Sequence, residues 1–136
     1  MMSKSGQILL IICLSLVIAG CGIRNMNAQE EKELEYTVVK EEDIPEEVLS
    51  VVQERKGEAF QATYQSGEFL YILRGYGLQN SGGYSIQVKK VVASEEAIHV
   101  GTELVGPSKK DEQQQNVSYP YIVIKVEYQD LAVVFE

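Results

Sequence analysis

A single histidine, His99, is all the imidazole this sequence of 136 residues contains, and that shortage removes most catalytic chemistry at the outset. A Ser/His/Asp arrangement would depend on that one ring. A zinc site asks for several His, Cys or carboxylate ligands at fixed spacing, which nothing here supplies. His99 therefore reads as a solvated or hydrogen-bonded strand residue. Cysteine is nearly as scarce, with Cys13 and Cys21 alone. Bases are few, 12 Lys and Arg against 20 Asp and Glu, which is the opposite of the basic surface by which nucleic-acid binders displace counterions from phosphates. Long hydrophobic runs are missing as well. The one continuous apolar stretch, Ile8 to Gly20, falls short of the about 20 residues a membrane-spanning helix needs.

That stretch has another reading. Lys4 supplies a positive start, the apolar run follows, and small residues precede Cys21, which is the three-part pattern of a secretory signal. Ile18-Ala19-Gly20-Cys21 resembles the lipobox of bacterial lipoproteins, in which the thiol receives a diacylglyceryl group and the chain is cleaved just before it. The expectation is a signal peptide over 1–20, a lipid on Cys21, and a protein held at the extracytoplasmic face of the cell membrane. Several acyl chains give lasting attachment where one gives only marginal binding. Cys13 would leave with the signal and Cys21 would be committed to lipid, so no disulfide could form within the mature monomer. Loss of Lys4 would make the formal charge of −8 one unit more negative.

Residues 21–40 read as a flexible acidic tether, because the run Glu30-Glu31-Lys32-Glu33-Leu34-Glu35 holds too little apolar surface to offset chain entropy. One helix is expected from about Asp43 to Lys56. Asp43 and Glu46 have capping-box spacing, Pro45 falls in the first turn, Ile44, Val48, Val51 and Val52 form an apolar stripe, and Gly57 supplies a left-handed stop. The remainder alternates apolar and polar residues, as in Phe60-Ala62-Tyr64, Tyr84-Ile86-Val88, Ile98-Val100-Thr102-Leu104 and Ile122-Ile124-Val126, with breaks at Gln65–Glu68, Gln79–Gly83, Ser94–Glu96 and Gly106–Asn116. This pattern predicts a meander of antiparallel strands ending in a pair joined at Gln129-Asp130. The fold class expected is α+β, a single domain over 41–136 with one N-terminal helix packed on an antiparallel sheet of five to six strands.

Little else carries chemistry. Gly75-Tyr76-Gly77-Leu78 lacks the remaining glycine of a dinucleotide loop and reads as a bend. Glu46-Glu47 and Glu95-Glu96 are a helix start and a solvated turn. No catalytic residue, cofactor site or metal site is expected. Tyrosine stands out, with 8 in the chain, several at strand ends beside glycine or proline. They fit either a protein-contact surface or ordinary strand positions that aromatics favour.

Arg74-Gly75-Tyr76-Gly77, then Ser81-Gly82-Gly83-Tyr84-Ser85-Ile86-Gln87-Val88, and later Tyr119-Pro120-Tyr121-Ile122-Val123 resemble the C-terminal domain of the PrcB-like proteins over roughly 69–135. That family takes its name from a lipoprotein subunit of a cell-surface protease complex, where it accompanies a subtilisin-like protease. The resemblance implies a non-catalytic accessory subunit that binds an exported protein. A partner surface is expected around Arg74, Gly82, Gly83 and Tyr84 and near Tyr119, Pro120 and Tyr121. The glycines also fit a simple hairpin, and Pro120 also fits protection of an edge strand. The alternative function is an extracytoplasmic binder of a small ligand or cell-wall component, recognisable by a deep tyrosine-lined pocket.

Overall fold

The structure, a computed structural model, describes residues 30–108 and 116–136. The signal segment 1–20, Cys21 and the first part of the tether lie outside the described residues. The chain from Glu31 onward forms one compact unit, and among the described residues it holds eight strands and one α-helix: β1 Lys32–Glu33, β2 Thr37–Val38, α1 Glu46–Arg55, β3 Ala59–Ser66, β4 Phe69–Tyr76, β5 Ser85–Ala93, β6 Ala97–Val105, β7 Tyr121–Glu127 and β8 Ala132–Phe135. These make two sheets of four strands, β1-β5-β6-β8 and β2-β7-β4-β3.

The expectation of an α+β fold with one antiparallel sheet of five to six strands is thereby corrected: the domain is mostly β, and its strands divide between two sheets, packed face to face. The reason lies in β4. Leu70, Tyr71, Ile72 and Leu73 are consecutive and all buried, and successive strand residues point to opposite faces, so both faces of this strand must be covered. Leu70 and Ile72, with Ile122, Ile124 and Val126 of β7, pack against Val91, Ala93, Ile98 and Val100 of the other sheet. Tyr71 and Leu73, with Phe60 and Val123, pack against Ile44, Val48 and Val52 on the helix side. The result is three layers, with α1 outside the β2-β7-β4-β3 sheet and the second sheet beneath it.

Alternation along β5 is broken by a bulge between Val88 and Lys90, so that Ile86 and Val88 before it and Val91 and Ala93 after it all contribute to the same core. β8 is the departure from the expected meander. After β7 the chain crosses to the other sheet, and β8 lies parallel to β6, Ala97 opposite Ala132 and Val100 opposite Phe135.

The tether expectation is corrected at its C-terminal end. β1 pairs with the end of β5, and β2 pairs with β7. Between them Leu34 packs on the inter-sheet core, and just beyond β2 Val39 packs on the helix-side core, so an acidic stretch with few apolar residues still finds cover for them. The helix is shorter than expected. Glu41–Asp43 form a 3-10 turn, and Pro45 is the N-cap, without a side-chain cap bond, so the capping box is not made. The left-handed stop is not made at Gly57 either; Lys56 closes the helix in a right-handed conformation, its N–H donating to Val52 O at 2.8 Å. Val48 and Val52 are fully buried, while Val51 packs at the margin.

Two truncations separate tether from fold. Paired backbone begins at Lys32, so a chain starting at Glu30 retains the native circular dichroism spectrum and a cooperative denaturant transition. A chain starting at Glu41 lacks both edge strands together with Leu34 and Val39, and its transition shifts to lower denaturant by roughly 2–5 kcal/mol of stability.

Candidate functional site

The end of the sandwich where β4 finishes and β7 begins collects most of the residues singled out in the sequence. Gly75 lies beneath the Phe60 ring; a Cβ there would stand 2.2 Å from Phe60 Cε1, so only glycine lets β3 and β4 keep this register with an aromatic between them and the helix. Tyr76 then joins three segments. Its N–H donates to Pro120 O at 3.0 Å, its hydroxyl lies 2.5 Å from Thr102 Oγ1 on β6, and its ring lies 4.3 Å from the Arg74 guanidinium carbon. The hydroxyl contact links the two sheets at their open end. Arg74 Nη1 donates to Phe60 O at 3.2 Å and to Gly75 O at 2.5 Å.

The loop after β4 turns at Gly77, where φ is +75° and a Cβ would meet Ala59 N at 2.9 Å. Gln79 and Ser118 then exchange backbone hydrogen bonds of 2.8 and 3.1 Å, and Ser118 Oγ donates to Ser81 O at 2.6 Å. These bonds hold the 77–84 loop against the segment entering β7. Leu78, Val117 and Tyr119 remain 51%, 53% and 39% exposed, and the Lys56 ammonium from the end of α1 stands 5.5 Å from the Tyr119 ring centre. Tyr121 is half-buried beside the helix-side core. Burial, and to a lesser degree the negative charge of Glu41, holds its phenol above the usual tyrosine pKa.

Arg74, Tyr119, Pro120 and Tyr121 are thus brought together at the end of one sheet, with Gly82 and Gly83 in the adjoining loop. Tyr84 sits on the other sheet's side, its Cε1 3.9 Å from where a Cβ on Gly106 would be. Of the glycine pair only Gly83 has a positive φ, 83°. The loop 109–115 lies outside the described residues. Sequence reasoning missed Lys56, Leu78, Val117 and Thr102. Leu78 and Val117 are apolar residues at the margins of polar loops, which was a usable signal; Lys56 and Thr102 arrive only through packing. The tyrosines divide in function: Tyr71 is core and Tyr64 packs beside it, whereas Tyr76, Tyr84, Tyr119 and Tyr121 cluster at this end.

The opposite end differs in character. A cavity of about 990 Å³ lies between Glu33–Thr37, Glu68, Phe69 and Lys125–Glu127. Tyr36 is the one tyrosine in its wall, so it is not the tyrosine-lined pocket expected of a small-ligand binder. The Lys125 ammonium stands 3.9 Å from the Phe69 ring centre.

His99 lies on the outer face of the second sheet. Its Nδ1 is 2.8 Å from Glu136 Oε1 and its Nε2 3.5 Å from Ser94 Oγ, an order of groups like that of a hydrolase relay. The Ser94 hydroxyl, however, accepts the backbone N–H groups of Glu96 and Ala97 at 3.4 and 3.2 Å. It caps the β5–β6 turn, and those bonds occupy the lone pairs a nucleophile would use. Hydrogen bonds from Lys90 and then His99 hold the Glu136 carboxyl below the usual carboxylate range. Among the described residues no group of three His, Cys, Asp or Glu is placed to hold a metal, and no helix is long and apolar enough to cross a membrane.

Compared with other proteins, residues 70–127 match a family model described as PrcB C-terminal. The matched span runs from β4 through β7 and so contains most of the tyrosine-bearing end, leaving out the helix residues and Phe60 of β3. No curated protein and no solved structure matches the chain.

Two measurements test this geometry. Gly75→Ala destabilises the fold by about 1–3 kcal/mol through the clash with Phe60, and in a chain already carrying Phe60→Leu the same change costs less, a non-additivity that a double-mutant cycle reads directly. In alkaline spectrophotometric titration Tyr121 ionises later than a free tyrosine. The folded state holds that proton more firmly than the unfolded state, so stability falls as pH rises above the ordinary tyrosine value of 10.0, and Tyr121→Phe removes that part of the decline.

Proposed function

Residues 70–127 belong to the PrcB C-terminal family, and on that premise we propose that this chain is a non-catalytic accessory subunit that binds an exported protein, a cell-surface protease of subtilisin type being the leading candidate. The observation that carries the reading is the exposed cluster of Leu78, Val117 and Tyr119 beside Tyr76, Tyr121 and Arg74, all but the helix contact lying within the matched span. Tyrosine and arginine provide large, rigid contact area with polar tips, and they are over-represented where proteins bind one another. A lipid on Cys21 would hold the subunit at the extracytoplasmic face of the membrane, a role supported by the sequence Ile18-Ala19-Gly20-Cys21.

A photo-crosslinking amino acid placed at Tyr119, and separately at Tyr128 on the opposite end, tests the reading in intact cells. Adducts with one exported protein at position 119 and none at 128 are the expected result, and identification of that protein as a protease supports the finer assignment. Equal labelling from both positions, or labelling from 128 alone, overturns it.

A further inference from the structure

Among the described residues Arg55, Lys56 and Arg74 have no acidic partner within ion-pair distance, in a chain where acids outnumber bases 20 to 12. Among the described residues the ion pairs are Lys89 with Glu103 at 3.0 Å, Lys90 with Glu31 at 3.9 Å and Glu136 at 3.1 Å, and His99 with Glu136. Arg55, Lys56 and Arg74 make none. Each instead lies over an aromatic ring, Arg55 at 5.3 Å from Phe60, Lys56 at 5.5 Å from Tyr119 and Arg74 at 4.3 Å from Tyr76. A cation stacked on a ring keeps its charge and its outward donors, so stacking orients these groups without neutralising them.

Arg74 is the most tightly held. Its Nη1 is engaged by Phe60 O and Gly75 O, while Nε and Nη2 carry no hydrogen bond among the described residues. That edge of a guanidinium is the one that receives a carboxylate through two parallel bonds. Leu78, Val117 and Tyr119 supply exposed apolar surface at the same end. The far end carries Glu33, Glu35, Glu68 and Glu127 around its cavity against one base, Lys125, and none of these acids is in an ion pair among the described residues, so the net negative field there disfavours an acidic ligand relative to the tyrosine end.

We propose that the tyrosine-bearing end receives an extended acidic segment of the protein partner, its Asp or Glu carboxylates held by Arg74 and Lys56 and its apolar residues laid on Leu78, Val117 and Tyr119. The inference rests on the reading of this end as the partner surface and adds the chemistry of what docks there.

Fluorescence anisotropy with two labelled peptides tests it, acetyl-Glu-Tyr-Glu-Leu-Glu-amide and its neutral twin acetyl-Gln-Tyr-Gln-Leu-Gln-amide, each titrated with the full chain in detergent. The acidic peptide binds about tenfold more tightly than the neutral one. Lys56→Glu, at a half-buried helix end, abolishes that preference while the circular dichroism spectrum is unchanged. Arg74→Lys keeps the charge but weakens the acidic peptide several-fold, because an ammonium lacks the two-pronged donor edge. Lys89→Gln, on the outer face of the second sheet, leaves binding as it was. Equal binding of the two peptides, absence of binding by either, or indifference to Lys56→Glu overturns the proposal. The partner-surface reading survives those outcomes if crosslinks still form from Tyr119, and it fails separately if they form from Tyr128.

Discussion

The fold depends on covering β4 from both sides. Four consecutive apolar residues, Leu70 to Leu73, cannot be satisfied by a sheet with one wet face, because the strand directs them alternately up and down. The second sheet covers Leu70 and Ile72, and the helix with its preceding turn covers Tyr71 and Leu73. Each covering layer needs cover on only one side. This is why the second sheet can turn Lys90, His99 and Glu136 to water, and why α1 needs only a narrow stripe of valines.

The same arrangement gives the domain two unlike ends. The chain enters through β1 and β2 at the end that carries Glu33, Glu35, Glu68 and Glu127, and crosses back there between β7 and β8. At the other end the 77–84 loop and the segment leading into β7 are bound to each other through Gln79 and Ser118, and Tyr76 ties both to the second sheet through Thr102. Loops cross-linked in this way present side chains from a fixed platform, and a fixed platform loses less entropy on binding than a loose one. Aromatic rings hold the cations of that end in place, so charge and apolar surface are offered together.

The three-layer arrangement also clarifies the one serine-histidine-carboxylate alignment in the molecule. A strand places alternate residues on one face, and the outer face of the second sheet brings His99 beside Glu136 and the β5–β6 turn. The serine is there because a tight turn needs its N–H groups satisfied, and the contact with His99 follows from that. Alignment of residue types alone is therefore weak ground for chemistry.

How much was legible beforehand follows from the range of each interaction. Local periodicity is enough to place the valine stripe of α1, the faces of β3, β6 and β7, and the breaks at Gly67, Gly82 and Glu95, because side-chain direction along helix and strand depends only on near neighbours. The family resemblance was legible too, since it rests on contiguous residues. Strand partners are not local. Nothing near Glu33 or Val38 says that one pairs with β5 and the other with β7, nor that β8 runs parallel to β6, and the bulge at Lys89 that lets both halves of β5 share a core is set by its neighbour strand. By itself the sequence determined element types, the single imidazole and the glycine, tyrosine and arginine that make up one end. Only the tertiary structure decided that the strands form two sheets, that Lys56 and Thr102 join Arg74 and Tyr76, and that Glu33, Glu35, Glu68 and Glu127 gather at the end away from Tyr76, Tyr119 and Tyr121, because each of these depends on contacts between residues far apart in the chain.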